Sequence, residues 1–190
     1  MRTFDNDITS CLNILSKGGL ILYPTDTIWG IGCDATNDNA VAKIFSSKQR
    51  PDRKSMIILV ADEKDIFNYV ANPDKKIFDY LSSTENPTTV IYENANNIAR
   101  SLISGDGTVA IRIVKDDFCK ALITKYKKPI VSTSANISGQ SFPKNFNEIY
   151  PAIKNGVDYI VQYRQHDIMS SQPSSIIKLN AEGEIEVLRP

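Results

Sequence analysis

Apolar residues along this chain recur in two rhythms that take turns. Ile8, Cys11, Leu12 and Leu15 fall at helical spacing, with Asp5 to Asp7 available as caps and Gly18-Gly19 to end the helix. Leu20 to Tyr23 is an unbroken apolar run bounded by those glycines and Pro24, the pattern of a buried strand. A second extended piece follows over Ile28 to Cys33, then a helix over 39–47 with the stripe Val41, Ile44 and Phe45. Met56 to Val60 is too short for a helix and predicts a strand. Ile66, Phe67 and Val70 predict a short helix, and Asn72-Pro73 caps another that carries Ile77, Phe78 and Leu81. Thr88 to Tyr92 reads as a strand by β-branching, Ala95 to Ile103 as a helix, and Gly107 to Val114 as a strand. Helix returns over Asp116 to Tyr126 through Phe118, Cys119, Leu122 and Ile123, and strand over Pro129 to Ser132. The late runs YIV, SIIKL and IEVL predict three further strands.

Strands alternate with helices early and cluster late, which predicts a mixed sheet in place of a purely parallel one. No repeat, low-complexity tract or linker interrupts the pattern. The expectation is one α/β domain over 1–190, a mixed parallel and antiparallel sheet flanked by helices; 42% apolar residues in 190 are ample for its core.

Charge and composition then narrow the chemistry. With 22 basic and 22 acidic residues the chain is formally neutral, so an anion site must come from local clustering. Cys11, Cys33 and Cys119 are widely spaced in apolar company, which suits buried thiols in a reducing compartment and neither a disulfide framework nor a zinc site. No run is long enough to span a membrane and no signal peptide opens the chain, so the expected location is cytoplasmic. The single histidine, His166, lies in the polar segment YRQHDIMSSQ away from any nucleophile motif, which points to a surface or loop role.

Three stretches carry candidate chemistry. After the first strand come Thr25, Asp26 and Thr27; a helix later delivers Lys48, Arg50, Arg53 and Lys54 around Pro51, which stops the helix near a chain reversal. Those cations are either a solvated helix end or an anion site. In GTVAIR a strand carries Arg112, which calls for an anion or an internal carboxylate. In PIVSTSANISG a buried strand runs into Ser132, Thr133, Ser134, Asn136 and Ser138, with Ala135 and Gly139 leaving room. Alternation along that segment puts Ser132 and Ser134 on one face and Thr133 on the other. GIGCDA lacks the third glycine of a dinucleotide fingerprint, and no Walker lysine follows a glycine run.

Taken in order, PTDTIWGIG, SKQRP, TVAIR, STSANISG, PSSII and LRP resemble the motifs of the YrdC-type threonylcarbamoyl-adenylate synthases over nearly the whole chain. The resemblance implies a twisted mixed sheet with a concave, positively charged cleft. It implies an enzyme that makes threonylcarbamoyl-AMP and pyrophosphate from L-threonine, bicarbonate and ATP, the first step of N6-threonylcarbamoyladenosine formation in tRNA. Carried over by residue, Thr27, Arg112, Ser132 and Ser174 would hold threonine. Arg50, Thr108, Ser134, Asn136 and Arg189 would hold ATP, and Lys48 with Arg50 would form the cationic catalytic floor. Mg²⁺ would arrive on the nucleotide phosphates without a protein cage. Implied partners are a downstream threonylcarbamoyl transferase and tRNA or double-stranded RNA. An RNA-binding module without synthase activity is the alternative, and a carbamoyl-adenylate-forming maturation factor shares the fold. Departures from the family pattern are Lys54-Ser55-Met56 and Leu59, where Asn-Pro-Leu and a histidine are common, Glu85-Asn86-Pro87 for Pro-Gly-Pro, Phe142 for serine and Ser175 for threonine. The chain stops at Pro190, without the additional C-terminal domain expected of longer members.

Overall fold

The computed structural model describes residues 3–48, 56–167 and 172–190. In chain order the elements are α1 (Asp5–Ser16), β1 (Ile21–Tyr23), β2 (Gly30–Gly32), α2 (Asp38–Ser47), β3 (Ile57–Val60), α3 (Glu63–Ile66), α4 (Lys75–Ser83) and β4 (Thr88–Tyr92). They continue with β5 (Val109–Ile113), α5 (Asp117–Tyr126), β6 (Ile130–Ser134), α6 (Pro151–Asn155), β7 (Tyr159–Ile160), β8 (Ser175–Leu179) and β9 (Ile185–Arg189). Among the described residues the strands form one nine-stranded sheet in the order β7-β1-β2-β6-β3-β5-β4-β8-β9. Parallel pairs (β1 with β7, β3 with β5, β4 with β8) are interspersed with antiparallel ones, so the mixed sheet is as expected.

Each side of the sheet has its own core, because alternate side chains of a strand point to opposite faces. On one side α2, α3, α4 and α6 bury Ile44, Ile66, Ile77 and Ile153 against Leu22, Ile31, Ile58, Val90, Ile111, Val131 and Ile177. On the other, α1 and α5 bury Ile8, Leu15, Phe118 and Leu122 against Ile21, Tyr23, Leu59 and Ile130. Those two helices lie on one half of their face. Following the register, the same row of side chains runs from Ile130 through Leu59, Arg112, Thr89 and Ile176 to Arg189. It begins under the helices and ends outside them.

Local signals explain most helix ends. Asn37 caps α2 through the Ala40 amide, Asp116 caps α5 through Cys119, and Gly18 takes the positive φ that turns the chain after α1. The expected cap on α1 is corrected, since that helix has no side-chain cap. Asp7 instead accepts from the Tyr159 hydroxyl at 2.6 Å and from the amides of Gln162 and Tyr163. The cap of α4 is Asp74, two residues past Asn72. The helix expected over Ala95 to Ile103 shrinks to one 3-10 turn at Arg100–Leu102. Its amides go elsewhere: Asn96 N donates to Tyr69 O, Ala99 N to Ala35 O, and both Asn94 and Asn97 adopt positive φ. The three cysteines are buried and unpaired, and His166 is exposed in a turn, both as read. Among the described residues no helix is long and apolar enough to cross a membrane.

Candidate functional site

The open half of that sheet face is the floor of a cleft. Register places Ser132, Ile57 and Ala110 in one row and Arg112 with Thr89 in the next, all pointing away from the four-helix side. Of the expected nucleotide residues, Ser134 pairs with Gly30 on this face, whereas Arg189 shares the Arg112 row. Glycine at 30 keeps the floor open: a Cβ there would sit 3.1 Å from Ser132 Oγ. Asp26, Asn86, Phe142, Gln172, Ser175 and Arg189 line a cavity of about 640 Å³, and Asp26 is the residue that reaches from it to Arg112.

Arg112 is 3% exposed, and the loop after β1 folds back over the face to meet it. Its Nη2 lies 3.0 Å from Asp26 Oδ1, while Asp26 Oδ2 accepts from the Lys115 amide. The internal carboxylate is therefore present, but it does not satisfy the guanidinium. The Arg112–Asp26 contact is not aligned as a hydrogen bond, and Arg112 Nε and Nη2 have no hydrogen-bond partner among the described residues. Asp26 Oδ1 is unsatisfied in the same contact, so Nε is the donor left with no acceptor, and a buried donor of that kind favours an added acceptor such as an anion.

Thr27, one residue along, is also buried. Thr25 Oγ1 donates its one proton to Ile28 O at 2.9 Å and accepts from the Thr27 amide at 3.0 Å. Thr27 must then be the donor in the 2.9 Å contact between the two hydroxyls, which leaves the Thr27 lone pairs as acceptors. On the far wall Ser174 and Thr89 share a 2.7 Å hydrogen bond, and Arg189 Nε and Nη2 donate to Ser174 O at 3.0 and 2.6 Å. Burial, and then the charge of Arg112, hold the Arg189 guanidinium below its ordinary pKa. Two guanidiniums within electrostatic reach of one cavity are the arrangement of an anion site.

The loop after β6 is built differently from its expected role. Lys48 is 1% exposed, and its Nζ donates to the Ser134 carbonyl, to Asn136 O at 2.6 Å and to Asn136 Oδ1 at 3.3 Å. The solvated-helix-end reading of Lys48 is thus corrected: its ammonium is buried and pins the loop from beneath. Asn136 is likewise taken up, receiving Ser134 Oγ on Oδ1 and donating Nδ2 to Gln140 O. Through these bonds Asn136 braces the loop internally. Ser132 and Ser134 are half-buried on the cleft face while Thr133 is buried beyond it, so the alternation holds. Thr108 donates its hydroxyl to Asp106 Oδ1 at 2.7 Å in an exposed turn. Arg50 lies outside the described residues.

Register and hydrogen bonds bring Arg112, Ser132, Ser134, Ser174 and Arg189 to one face of the sheet, and the Asp26 contact sets the Thr25–Thr27 loop against Arg112. Sequence reasoning missed Asp26 as the partner of Arg112 and Thr89 as the partner of Ser174; only Asp26, inside PTDT, left a signal that could have pointed to it.

The fold is that of an α/β protein whose mixed sheet carries hydroxyls and guanidiniums on the half of one face that α1 and α5 leave uncovered. Residues 13–190 match the Sua5/YciO/YrdC family, described as telomere recombination, and the chain belongs to that family. A threonylcarbamoyl-AMP synthase of Idiomarina loihiensis is 35% identical over 148 residues, covering 76% of this chain and 80% of that protein. One of Pseudoalteromonas translucida is 33% identical over 172 residues, covering 89% and 91%. The P. abyssi Sua5 structure complexed with L-threonine matches with a TM-score of 0.87 at 24% identity, which speaks to fold; this chain is covered fully and spans 55% of that one.

Proposed function

We propose that this protein is an L-threonylcarbamoyladenylate synthase. The observation that carries the reading is the buried Arg112 guanidinium, whose Nε has no hydrogen-bond partner among the described residues, on the sheet face it shares with Ser132, Ser134 and Thr89, the partner of Ser174. Relatives at 33% and 35% identity over most of the chain bear the synthase name.

In this reading the threonine carboxylate takes the free Nε donor of Arg112, a charge-assisted contact that also relieves its burial. Ser132, Ser174 and the acceptor lone pairs of Thr27 surround the rest of the amino acid. The amine must be neutral to react with bicarbonate, and the nearby positive charges of Arg112 and Arg189 oppose its ammonium form. Carbamate formation releases one water. A carbamate oxygen then attacks the α-phosphorus of ATP, the Pα–O bond to the β-phosphate breaks, and pyrophosphate leaves. No protein nucleophile takes part, so the protein contributes positioning and charge neutralisation. ATP lies toward Ser134 and Thr108, with Arg189 and Arg50 on its phosphates. Asp26, the cleft carboxylate, faces Arg112, which fits Mg²⁺ held by phosphates better than Mg²⁺ held by the chain. The product passes to a threonylcarbamoyl transferase acting on tRNA.

Mass spectrometry of purified protein with ATP, Mg²⁺, bicarbonate and threonine tests this. The expected result is a threonine-dependent adenylate with matching pyrophosphate release. No such product beside an active homologue, with duplex RNA bound instead, would return the chain to the RNA-binding reading; adenylate formed from carbamoyl phosphate in place of threonine and bicarbonate would make it a carbamoyl-adenylate former.

A further inference from the structure

We infer that Arg164 is a positioning residue for the amino-acid end of the cleft, acting through the loop at 24–29. The inference rests on the synthase reading and adds a residue that lies in none of the six motifs.

Arg164 has φ +65°, in the left-handed region that glycine and asparagine enter easily and arginine does not. The chain is fixed just before it, where Asp7 takes the amides of Gln162 and Tyr163 at 2.9 and 3.0 Å. The unfavourable backbone aims one guanidinium at three acceptors. Nη1 donates to Thr25 O and to Asp116 Oδ2, both at 3.1 Å, and Nε donates to Asp167 Oδ2 at 2.8 Å. Each acceptor belongs to a different part of the site's frame. Thr25 orients Thr27 through its hydroxyl and precedes Asp26, the partner of Arg112. Asp116 caps α5 and lies next to Lys115, whose amide holds the other oxygen of Asp26. Asp167 ties the guanidinium to its own segment. Arg164 and Thr27 also line a cavity of about 20 Å³ with Lys144 and Asn145, too small for either substrate, so Arg164 acts on the loop and not on a ligand.

The nucleotide end is held by other means. Ser134 is fixed by Asn136 and Lys48, and Thr108 by Asp106, none of which touches Arg164. Loosening Arg164 should therefore act on one substrate and spare the other. A merely structural role would not divide them.

The test compares Arg164→Gly and Arg164→Asn, both suited to positive φ, with Arg164→Lys, by steady-state kinetics on the full chain. For Gly and Asn, the expected result is a rise of about tenfold in KM for threonine, with KM for ATP within about twofold, the size of a lost charged hydrogen bond. Arg164→Lys, which keeps a cation near Thr25 O and Asp116, should recover part of the loss. Unchanged threonine KM, or equal rises in both constants, would overturn the inference. If wild type makes no threonine-dependent adenylate, the synthase reading falls; if wild type is active and the variants match it, the role of Arg164 alone falls.

Discussion

The two halves of one sheet face make an instructive pair. Under α1 and α5, Ile21, Tyr23, Leu59 and Ile130 are at most 1% exposed and meet Leu15, Phe118 and Leu122 in a dry core. Along the same rows, past that core, the outward positions are Ser132, Ser134, Ala110 and Arg112, with Ile57 packed against the core's edge. Strand geometry is the same in both. What differs is whether a helix covers the face, and the composition follows: apolar residues where water is excluded, hydroxyls and a guanidinium where a ligand enters. Arg112 sits at the border, buried like the first half and chemically part of the second.

The strongest way to break this division is Arg112→Ala. It removes the anion donor and leaves Asp26 buried without its cation. Activity should fall at least about a hundredfold, and urea unfolding should show a loss of about 3 kcal/mol. Near-normal activity would move the anion site elsewhere.

Lys48→Met tests the loop brace next. Removing the ammonium orphans the carbonyls of Ser134 and Asn136, and the expected cost is about 3 kcal/mol of stability, read by denaturant. A solvated helix end would instead lose less than about 1 kcal/mol.

Glycines in β2 sharpen the contrast because they lie two residues apart on the same face. A Cβ at Gly32 would come within 2.6 Å of the Tyr23 ring and 2.7 Å of Val131 O, in the covered half. Gly32→Ala should destabilise by about 2 kcal/mol through overpacking. Gly30→Ala meets Ser132 Oγ at 3.1 Å and Thr133 O at 3.3 Å on the open floor, so it should cost more in turnover than in melting temperature. Equal effects at both sites would erase the distinction between the halves.

Smallest are the hydroxyls of β6. Ser132→Ala should raise KM for threonine and Ser134→Ala KM for ATP, each several-fold for about 1 kcal/mol of lost hydrogen bond. Thr133→Val, on the opposite face, should change the melting temperature and leave both constants alone.

Much of this frame was legible in sequence because it depends on local signals. Runs such as ILY, TTVIY and VAIR mark strands by β-branching and burial, and Phe118, Cys119, Leu122 and Ile123 mark the stripe of α5. The helix reading of 95–103 failed because Ile98 and Leu102 keep helical spacing while the amides of Asn96 and Ala99 bond to residues far away in sequence. ENANN is turn chemistry, and it prevailed over the apolar period. The same limit governs the site. Motifs located Arg112 and Lys48, but the partners that define them, Asp26 and the carbonyls of Ser134 and Asn136, lie 86 to 88 residues away along the chain. Nothing near Lys48 announces that it will be buried.

The outer wall of the cleft has a consequence for local opening. Strand β9 carries Arg189, pairs among the described residues only with β8, and joins it across a register shift at Ile176/Ile177, with four of its five residues exposed. Edge strands with so little burial open at a fraction of the global unfolding free energy, whereas β3 and β6 at the sheet centre exchange their amide protons only in deeper openings. One wall of the cleft therefore belongs to the fast-exchanging layer of the protein and its floor to the slow one. Hydrogen exchange should find β9 amides labelled well before those of Ile58 or Val131, and an anion held between Arg112 and Arg189 should slow the first set while leaving the second unchanged.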